Sequence, residues 1–213
     1  MGAWRREQGR DRFFRMAREE GYRARSAYKL LELVERFDLI RPGCAVVDLG
    51  AAPGGWSQVA ARLVGSGGRL VAVDVAEMAP IPGAHVLLCD ITAPECLRAI
   101  RLALGGEADV VLSDAAPSTT GIGLADHARS VELASAALEI ARRVLRPGGA
   151  CAVKVFRGPD FDTYVADVRH SFHSVRTVVP GATRKESKEA YVVGLGLVAS
   201  SPHRRSPNPP PAM

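Results

Sequence analysis

Short apolar runs alternate with longer amphipathic segments from about residue 26 to residue 197. The short runs are rich in β-branched residues and are bounded by Gly, Pro or Asp, which is the pattern of buried strands. They predict strands over seven ranges: 44–49, 69–74, 85–89, 108–112, 150–156, 174–179 and 190–197. Ten residues separate the last two strands. Because this is too few for a helical crossover, we expect these two strands to pair antiparallel.

Between the strands, apolar residues recur at the spacing of an amphipathic helix. This spacing predicts helices over five ranges: 26–37, 57–64, 94–104, 127–145 and 160–171. Ser26 is positioned to cap the first helix, and the Ser-, Thr- and Gly-rich segment 118–126 is expected to be a mobile, substrate-facing loop. Strands and helices in this order predict an open α/β sheet with helices on both faces, which binds ligands at the carboxyl ends of its strands.

The length and composition of the chain suit one folded domain with a basic arm and a tail. There are 213 residues, of which 47% are hydrophobic, enough for a core of that size. We predict a basic N-terminal arm over 1–25, the folded domain over 26–200 and a disordered Pro-rich tail over 201–213. No apolar run reaches the roughly 18 residues of a membrane span, and no charged-then-apolar leader opens the chain. A cytoplasmic monomer with no membrane partner is therefore expected.

The formal net charge of +5 favours an anionic partner. The arm holds eight Arg residues, and aromatic residues are interleaved with them: Trp4, Phe13, Phe14 and Tyr22. Cations neutralise phosphates and aromatic rings stack on bases, so this mixture suits an arm that binds nucleic acid. A solvated, partly helical extension is the alternative.

The cysteines and histidines do not indicate a metal site. The four cysteines never approach C-x-x-C spacing, and we expect them to be reduced core residues: Cys44, Cys89, Cys96 and Cys151. His170 lies near the end of the last predicted helix and His173 just beyond it, and both are expected at the solvent edge. No metal is therefore predicted.

The segment V-V-D-L-G-A-A-P-G-G-W, residues 46–56, has the order strand, tight turn and helix that opens a nucleotide-binding α/β unit. Gly50, Ala52 and Gly55 nearly fit the dinucleotide fingerprint, but Ala52 replaces the glycine that lets the backbone approach a pyrophosphate. A nucleoside cofactor without a pyrophosphate suits this turn better. S-adenosylmethionine is such a cofactor, and its carboxylate would lie near the helix N-terminus. A plain strand-to-helix turn is the alternative.

Three acidic residues follow predicted strands at the same edge of the sheet. Asp74 ends the second strand, where a nucleotide-binding fold grips a ribose diol, although it would also serve as a strand-end cap. Asp90 would accept a hydrogen bond from an adenine amino group, or would cap the next helix. Asp114 follows the fourth strand, which lies beside the first in a doubly wound sheet.

Only four of the 28 Lys and Arg residues are lysines. One of them, Lys154, lies inside the apolar fifth strand, C-A-V-K-V-F. A charge there is costly unless it is paired or faces a functional cleft, so Lys154 is a candidate for proton transfer. A structural ion pair is the alternative.

With D-L-G-A-A-P-G-G-W, S-D-A-A-P, V-K-V-F and K-E-A-Y-V-V in this order, the sequence resembles the FtsJ/RrmJ family of RNA 2′-O-ribose methyltransferases from about Arg25 to Leu197. The resemblance implies a Rossmann-like, S-adenosylmethionine-dependent methyltransferase fold with a seven-stranded, mostly parallel sheet whose last strand is antiparallel. It implies a catalytic Lys-Asp-Lys-Glu set, here Lys29, Asp114, Lys154 and Glu189. It also implies a cofactor site lined by Gly54, Trp56, Asp74, Asp90 and Asp114.

The resemblance also implies a reaction. Lys154 is predicted to accept or steer the hydroxyl proton, Asp114 to hold Lys154, and Lys29 with Glu189 to orient the ribose. The short single-domain form resembles the enzyme that methylates a uridine ribose in large-subunit ribosomal RNA. A transfer-RNA 2′-O-methyltransferase with the same chemistry is the alternative, and a non-catalytic RNA-binding protein on this fold is a third possibility.

Overall fold

The computed structural model describes residues 12–118, 121 and 123–199. Residues 12–19 are helical and are named α1. The later elements are α2 (Ala27–Phe37), β1 (Ala45–Leu49), α3 (Gly55–Val64), β2 (Arg69–Asp74), β3 (Ala84–Leu88), α4 (Pro94–Leu104), β4 (Ala108–Ser113), α5 (Gly123–Val144), β5 (Leu145–Phe156), α6 (Phe161–Ser171), β6 (Phe172–Val178) and β7 (Glu189–Leu197). The first 11 residues of the predicted arm and the whole predicted tail lie outside the described residues.

The seven strands form one sheet in the order β3-β2-β1-β4-β5-β7-β6. Neighbouring strands from β3 to β5 run parallel, and β7 runs antiparallel to both β5 and β6. The predicted fold class is therefore confirmed, including the antiparallel last strand. The strand order reverses between β1 and β4, and in such sheets the crevice beyond this reversal binds ligands.

Helices cover both faces of the sheet, which explains why every residue of β1 except Asp48 is apolar. Val47 and Leu49 pack on the face covered by α4, α5 and α6, whereas Val46 packs on the face covered by α2 and α3. A strand buried on both faces has no polar side to alternate with. Asp48, the exception, is fully buried as well.

Three local predictions were wrong, and each error concerns the end of an element. Ser26 does not cap α2, because its own backbone is helical (φ −61°, ψ −18°) and its side chain makes no capping hydrogen bond. β5 begins at Leu145 rather than at residue 150, because Leu145 pairs with Ala108 before the register shifts. α5 begins at Gly123, inside the segment that was expected to be a loop.

Part of the predicted arm packs on the domain. The Phe13 and Tyr22 rings lie 5.5 and 5.9 Å from the ring of Tyr28 on α2. The Arg23 guanidinium donates to the carbonyl oxygens of Ala79 and Pro80 at 2.6 and 2.8 Å. Two of the arm's aromatic residues are thus engaged in the fold rather than free to stack on bases.

The cysteines are free thiols, and Cys96 and Cys151 are buried as expected, whereas Cys44 and Cys89 are only partly buried. His170 and His173 are exposed, which confirms their solvent-edge positions. Within residues 12–118, 121 and 123–199, no helix is long and apolar enough to cross a membrane. The same residues contain no cluster of three or more His, Cys, Asp or Glu side chains able to hold a metal ion.

Candidate functional site

Lys154 and Asp114 form a buried pair at the carboxyl edge of the sheet. Lys154 lies on β5, and Asp114 directly follows the adjacent parallel strand β4. The Lys154 Nζ lies 3.0 Å from Asp114 Oδ1 and donates to the Asp114 main-chain oxygen at 2.5 Å. Because Lys154 is only 7% exposed, this pairing supplies the partner that a buried charge requires.

The end of β5 beyond Lys154 is fixed by two side chains of α5. The Phe156 amide donates to Ser130 Oγ at 2.9 Å, and the Phe156 oxygen lies 3.1 Å from Nδ1 of His127. The Asp160 amide donates to His127 Nε2 at 3.1 Å. These partners fit a neutral imidazole that donates through Nδ1 and accepts through Nε2. The strand that carries Lys154 is thereby held on one side by a helix.

Lys29 and Glu189 form a second pair, from α2 and the first residue of β7. Their side chains are hydrogen-bonded as an ion pair although 160 positions separate them in sequence. Lys29 is 7% exposed, like Lys154. The four residues of the predicted catalytic set thus lie in two lysine–carboxylate pairs, Lys154–Asp114 and Lys29–Glu189.

Tyr191, which was not among the predicted site residues, contacts both lysine–carboxylate pairs. Its Oη donates to Asp114 Oδ1 at 2.6 Å, and the Lys29 Nζ lies 5.8 Å from its ring centroid. On β7 it lies opposite Lys154 and two residues after Glu189, so all three side chains share one face. The motif K-E-A-Y-V-V contained this signal, since a tyrosine in a buried strand needs a partner for its hydroxyl group.

A cleft of about 250 Å³ lies at the carboxyl ends of β1 to β4, and we name it the carboxylate cavity. Three of its lining side chains are the acids Asp74, Asp90 and Asp114. The remaining lining residues are Gly50, Ala52, Val75, Cys89, Ile91, Ala115, Ala116 and Leu133. Asp114 therefore belongs both to this cavity and to the pair with Lys154.

Asp74 and Asp90 hold the rim of the carboxylate cavity through backbone amides. The Asp74 carboxylate accepts from the amides of Ala52 and Ala76 at 2.9 and 2.8 Å. Asp90 Oδ1 accepts from the amide and hydroxyl of Thr92, and these bonds lower the pKa of Asp90. The alternative that Asp90 caps α4 is wrong, because the residue at that cap is Ala93.

Gly54 and Trp56, two residues of the predicted cofactor site, do not line the carboxylate cavity. The Trp56 indole is 2% exposed, donates to the Ser26 oxygen at 2.8 Å and stacks on Tyr191. Gly54 precedes α3 with φ at 110°. Residues 55–57, the first turn of α3, are buried and line neither this cavity nor any other described here. The assignment of both residues to the cofactor remains a prediction.

A second, basic cavity of about 380 Å³ borders the Lys29–Glu189 pair. It is lined by Arg25, Lys29, Arg184, Glu186, Ser187 and Glu189. Arg25 also donates to the Ala182 oxygen at 3.1 Å, which ties the loop before β7 to the segment before α2. The two lysine–carboxylate pairs thus border different cavities, and Tyr191 contacts both pairs.

Asp48 is a buried acid beneath the site. Its Oδ2 accepts from Ser57 Oγ at 2.6 Å, whereas its Oδ1 has no hydrogen-bond partner within the described part of the chain. Burial raises the pKa of Asp48 to about 7; the Ser57 bond opposes this rise, and Asp114 and Asp74 add to it. The folded protein therefore holds a proton on Asp48 where an exposed aspartate has lost it.

We expect this proton to make the stability of the protein fall as pH rises. The pKa of Asp48 is an ordinary 3.8 in the unfolded chain and about 7 in the folded chain. Its stabilising contribution is therefore complete below pH 3.8 and is lost as pH rises to about 7, by up to about 1.4 kcal/mol per pH unit. Asp48→Asn should flatten this slope in urea unfolding between about pH 5 and pH 7. An unchanged slope would contradict the protonated carboxyl.

Known proteins resemble this chain over almost its whole folded region. The FtsJ-like methyltransferase family model matches residues 22–197. Ribosomal RNA large subunit methyltransferase E of Methanothrix thermoacetophila is 53% identical over 191 residues, covering 90% of this chain and 74% of that protein. The protein of that name from Pseudomonas fluorescens is 46% identical over 195 residues, covering 91% and 93%.

A solved structure shows the same fold. A Plasmodium falciparum protein, provisionally described as a ribosomal RNA methyltransferase, superposes with a TM-score of 0.74 at 25% identity, covering 83% of this chain and 99% of that chain. The range matched by the family model contains both lysine–carboxylate pairs and all residues that line the two cavities.

Proposed function

Because this chain belongs to the FtsJ-like methyltransferase family, we propose that it transfers a methyl group from S-adenosylmethionine to the 2′-hydroxyl of a uridine ribose in large-subunit ribosomal RNA. One observation carries the proposal. A buried lysine, Lys154, is paired with Asp114 at the edge of the carboxylate cavity, and Tyr191 connects this pair to Lys29 and Glu189. The names of the relatives support ribosomal RNA as the substrate.

The residues of the carboxylate cavity fit the proposed cofactor. Carboxylates accept hydrogen bonds from ribose hydroxyl and amino groups, and three of them line this cavity. Ile91 and Leu133 supply an apolar wall suited to a nucleobase. Asp74, Asp90 and Asp114 would hold S-adenosylmethionine, which supplies a methyl group on a positively charged sulfur.

Lys154 handles the proton of the accepting hydroxyl in this proposal. A hydroxyl oxygen that gains a methyl group must lose its proton, and a ribose hydroxyl gives it up poorly in water. Protonated lysine has three N–H donors and cannot accept a proton, so acceptance requires the neutral amine, which has two N–H donors and one lone pair. Asp114 can accept both N–H groups of that amine, through its main-chain oxygen and Oδ1, which leaves the lone pair for the hydroxyl proton. Asp114 thus fixes the direction of the amine, and Lys154 accepts or steers the proton. Such positioned proton transfer contributes about 10²- to 10⁴-fold to a rate.

Lys29 and Glu189 orient the ribose from the basic cavity. Glu189 accepts hydrogen bonds, and the ammonium group of Lys29 donates them, so the pair offers both kinds of contact to a sugar hydroxyl. Arg25 and Arg184 border the same cavity. Positive charges there suit the phosphates of an RNA strand, which position a nucleotide without reading its base.

The proposal is tested by offering methyl-labelled S-adenosylmethionine together with ribosomal large subunits, free ribosomal RNA and bulk transfer RNA. We expect label in the large-subunit RNA. Label confined to transfer RNA would contradict ribosomal RNA as the substrate but would still support methyl transfer to RNA. Binding of both cofactor and RNA without transfer to any of them would indicate a non-catalytic RNA-binding protein.

A further inference from the structure

Tyr191 is buried between the two lysine–carboxylate pairs but lines neither the carboxylate cavity nor the basic cavity. Its hydroxyl group and Lys154 share one acceptor, Asp114 Oδ1, at 2.6 and 3.0 Å. A carboxylate held by two donors on one oxygen has little freedom to rotate, and bonds to a charged acceptor are the stronger ones. Tyr191 thus contacts the reacting groups without access to a substrate.

The ring of Tyr191 makes separate contacts. It stacks on Trp56 with centroids 5.6 Å apart and planes inclined by 28°, and the Lys29 ammonium lies near its face. An aromatic face attracts a cation most strongly where water is excluded. Trp56 in turn donates to the Ser26 oxygen, immediately before the helix that carries Lys29. The ring therefore joins α3, β7 and the start of α2.

We propose that Tyr191 is a positioning residue for methyl transfer, whose hydroxyl group fixes Asp114, and through it Lys154, while its ring holds Lys29 beside Glu189. This rests on the proposed function. Burial, together with the nearby Asp114 and Glu189, raises the pKa of Tyr191 well above its usual 10. The phenol therefore stays a neutral donor and takes no proton itself.

Tyr191→Phe removes the hydroxyl group and keeps the ring. We expect kcat to fall about 10- to 100-fold, the range for losing a hydrogen bond to a charged group. The KM for RNA and the Kd for the cofactor should stay within about threefold, because neither cavity loses a lining group. Without the Tyr191 bond, Asp114 attracts the Lys154 proton more strongly. The limb of the kcat–pH profile that reports Lys154 should therefore move to higher pH.

Tyr164→Phe is the matched control. Tyr164 is equally buried, and its hydroxyl donates to the Ala134 oxygen at 3.3 Å, on the sheet face opposite Tyr191. Loss of the Tyr164 hydroxyl should lower the free energy of unfolding without changing kcat or the pH profile. A second variant that carries 3-fluorotyrosine at position 191 keeps the hydroxyl as a stronger donor, and its pH limb should move in the opposite direction from that of Tyr191→Phe.

The results of these assays separate the role of Tyr191 from the proposed function. If the wild-type protein methylated none of the RNAs, the proposed function itself would be wrong. An active wild type with wild-type kcat and pH profile in Tyr191→Phe would overturn only the role of Tyr191. A loss of kcat with an unmoved pH limb in both Tyr191 variants would reduce Tyr191 to a packing residue and would also overturn the proposal.

Discussion

Lys154→Ala is expected to abolish methyl transfer while the cofactor still binds. The substitution removes the amine that faces Asp114, and Lys154 itself lines neither cavity. Turnover should fall by about 10³-fold or more, as expected when a positioned proton-transfer group is lost. Single-turnover transfer of labelled methyl measures the chemical step, and calorimetric titration with S-adenosylmethionine measures binding. Methylation near the wild-type rate would contradict the assignment.

Lys154→Arg separates the charge of the lysine from its ability to take a proton. Arginine keeps a positive charge near Asp114 but stays protonated in proteins. If Lys154 accepts the proton, the arginine variant should be nearly as inactive as the alanine variant. Recovery of most of the activity would instead show that Lys154 acts only through its charge.

Gly50→Ala is expected to disrupt both the fold and the carboxylate cavity. Gly50 has φ at 72°, and an added Cβ would lie 2.5 Å from the Cα and 2.6 Å from the amide nitrogen of Ala115. Both atoms belong to the backbone of the residue after Asp114, so rotating a side chain cannot relieve the clash. We expect a loss of about 3 kcal/mol in the free energy of unfolding, from backbone strain and overpacking together. Cofactor affinity should weaken about tenfold or more.

Gly43→Ala provides the control for this clash. Gly43 has a similar φ of 85°, but an added Cβ there meets nothing within 4 Å. Gly43→Ala should lower the free energy of unfolding only through backbone strain, by about 1 kcal/mol. Urea unfolding compares the two variants. Equal losses of stability would mean that the close approach of Gly50 to Ala115 has no energetic consequence.

The sheet was predictable because its central strands are buried on both faces. Such strands are mostly apolar where they are buried, and the apolar run 70–73 between Arg69 and Asp74 predicts β2 with the bounds that it has. The family suggested by the four motifs is confirmed by the match over residues 22–197. The errors lie at the ends of elements. β5 starts early through its pairing with β4, and no local residue signals that contact.

The contact of Tyr191 with the candidate site was not predictable. The resemblance implied that Asp114 holds Lys154 and that Lys29 acts with Glu189, and these two pairs form, but no motif indicated that a tyrosine contacts both. That outcome depends on β7 lying beside β5, which brings Tyr191 opposite Lys154. Likewise, the Trp56 indole contacts Ser26, which precedes α2, and Tyr191 on β7, and only tertiary packing brings these two distant residues to it. The catalytic roles of the four residues and the bounds of the arm and tail stay predictions.

The position of the transferred methyl group tests the central claim most directly. RNA labelled by the wild-type protein is hydrolysed in alkali and, in parallel, digested to nucleosides. Alkaline cleavage proceeds through attack by the 2′-hydroxyl, so a 2′-O-methyl group protects its own linkage. The two lysine–carboxylate pairs around Tyr191 predict label in an alkali-resistant dinucleotide that yields 2′-O-methyluridine. Label in a nucleoside methylated on its base, released by alkali as a mononucleotide, would contradict the account.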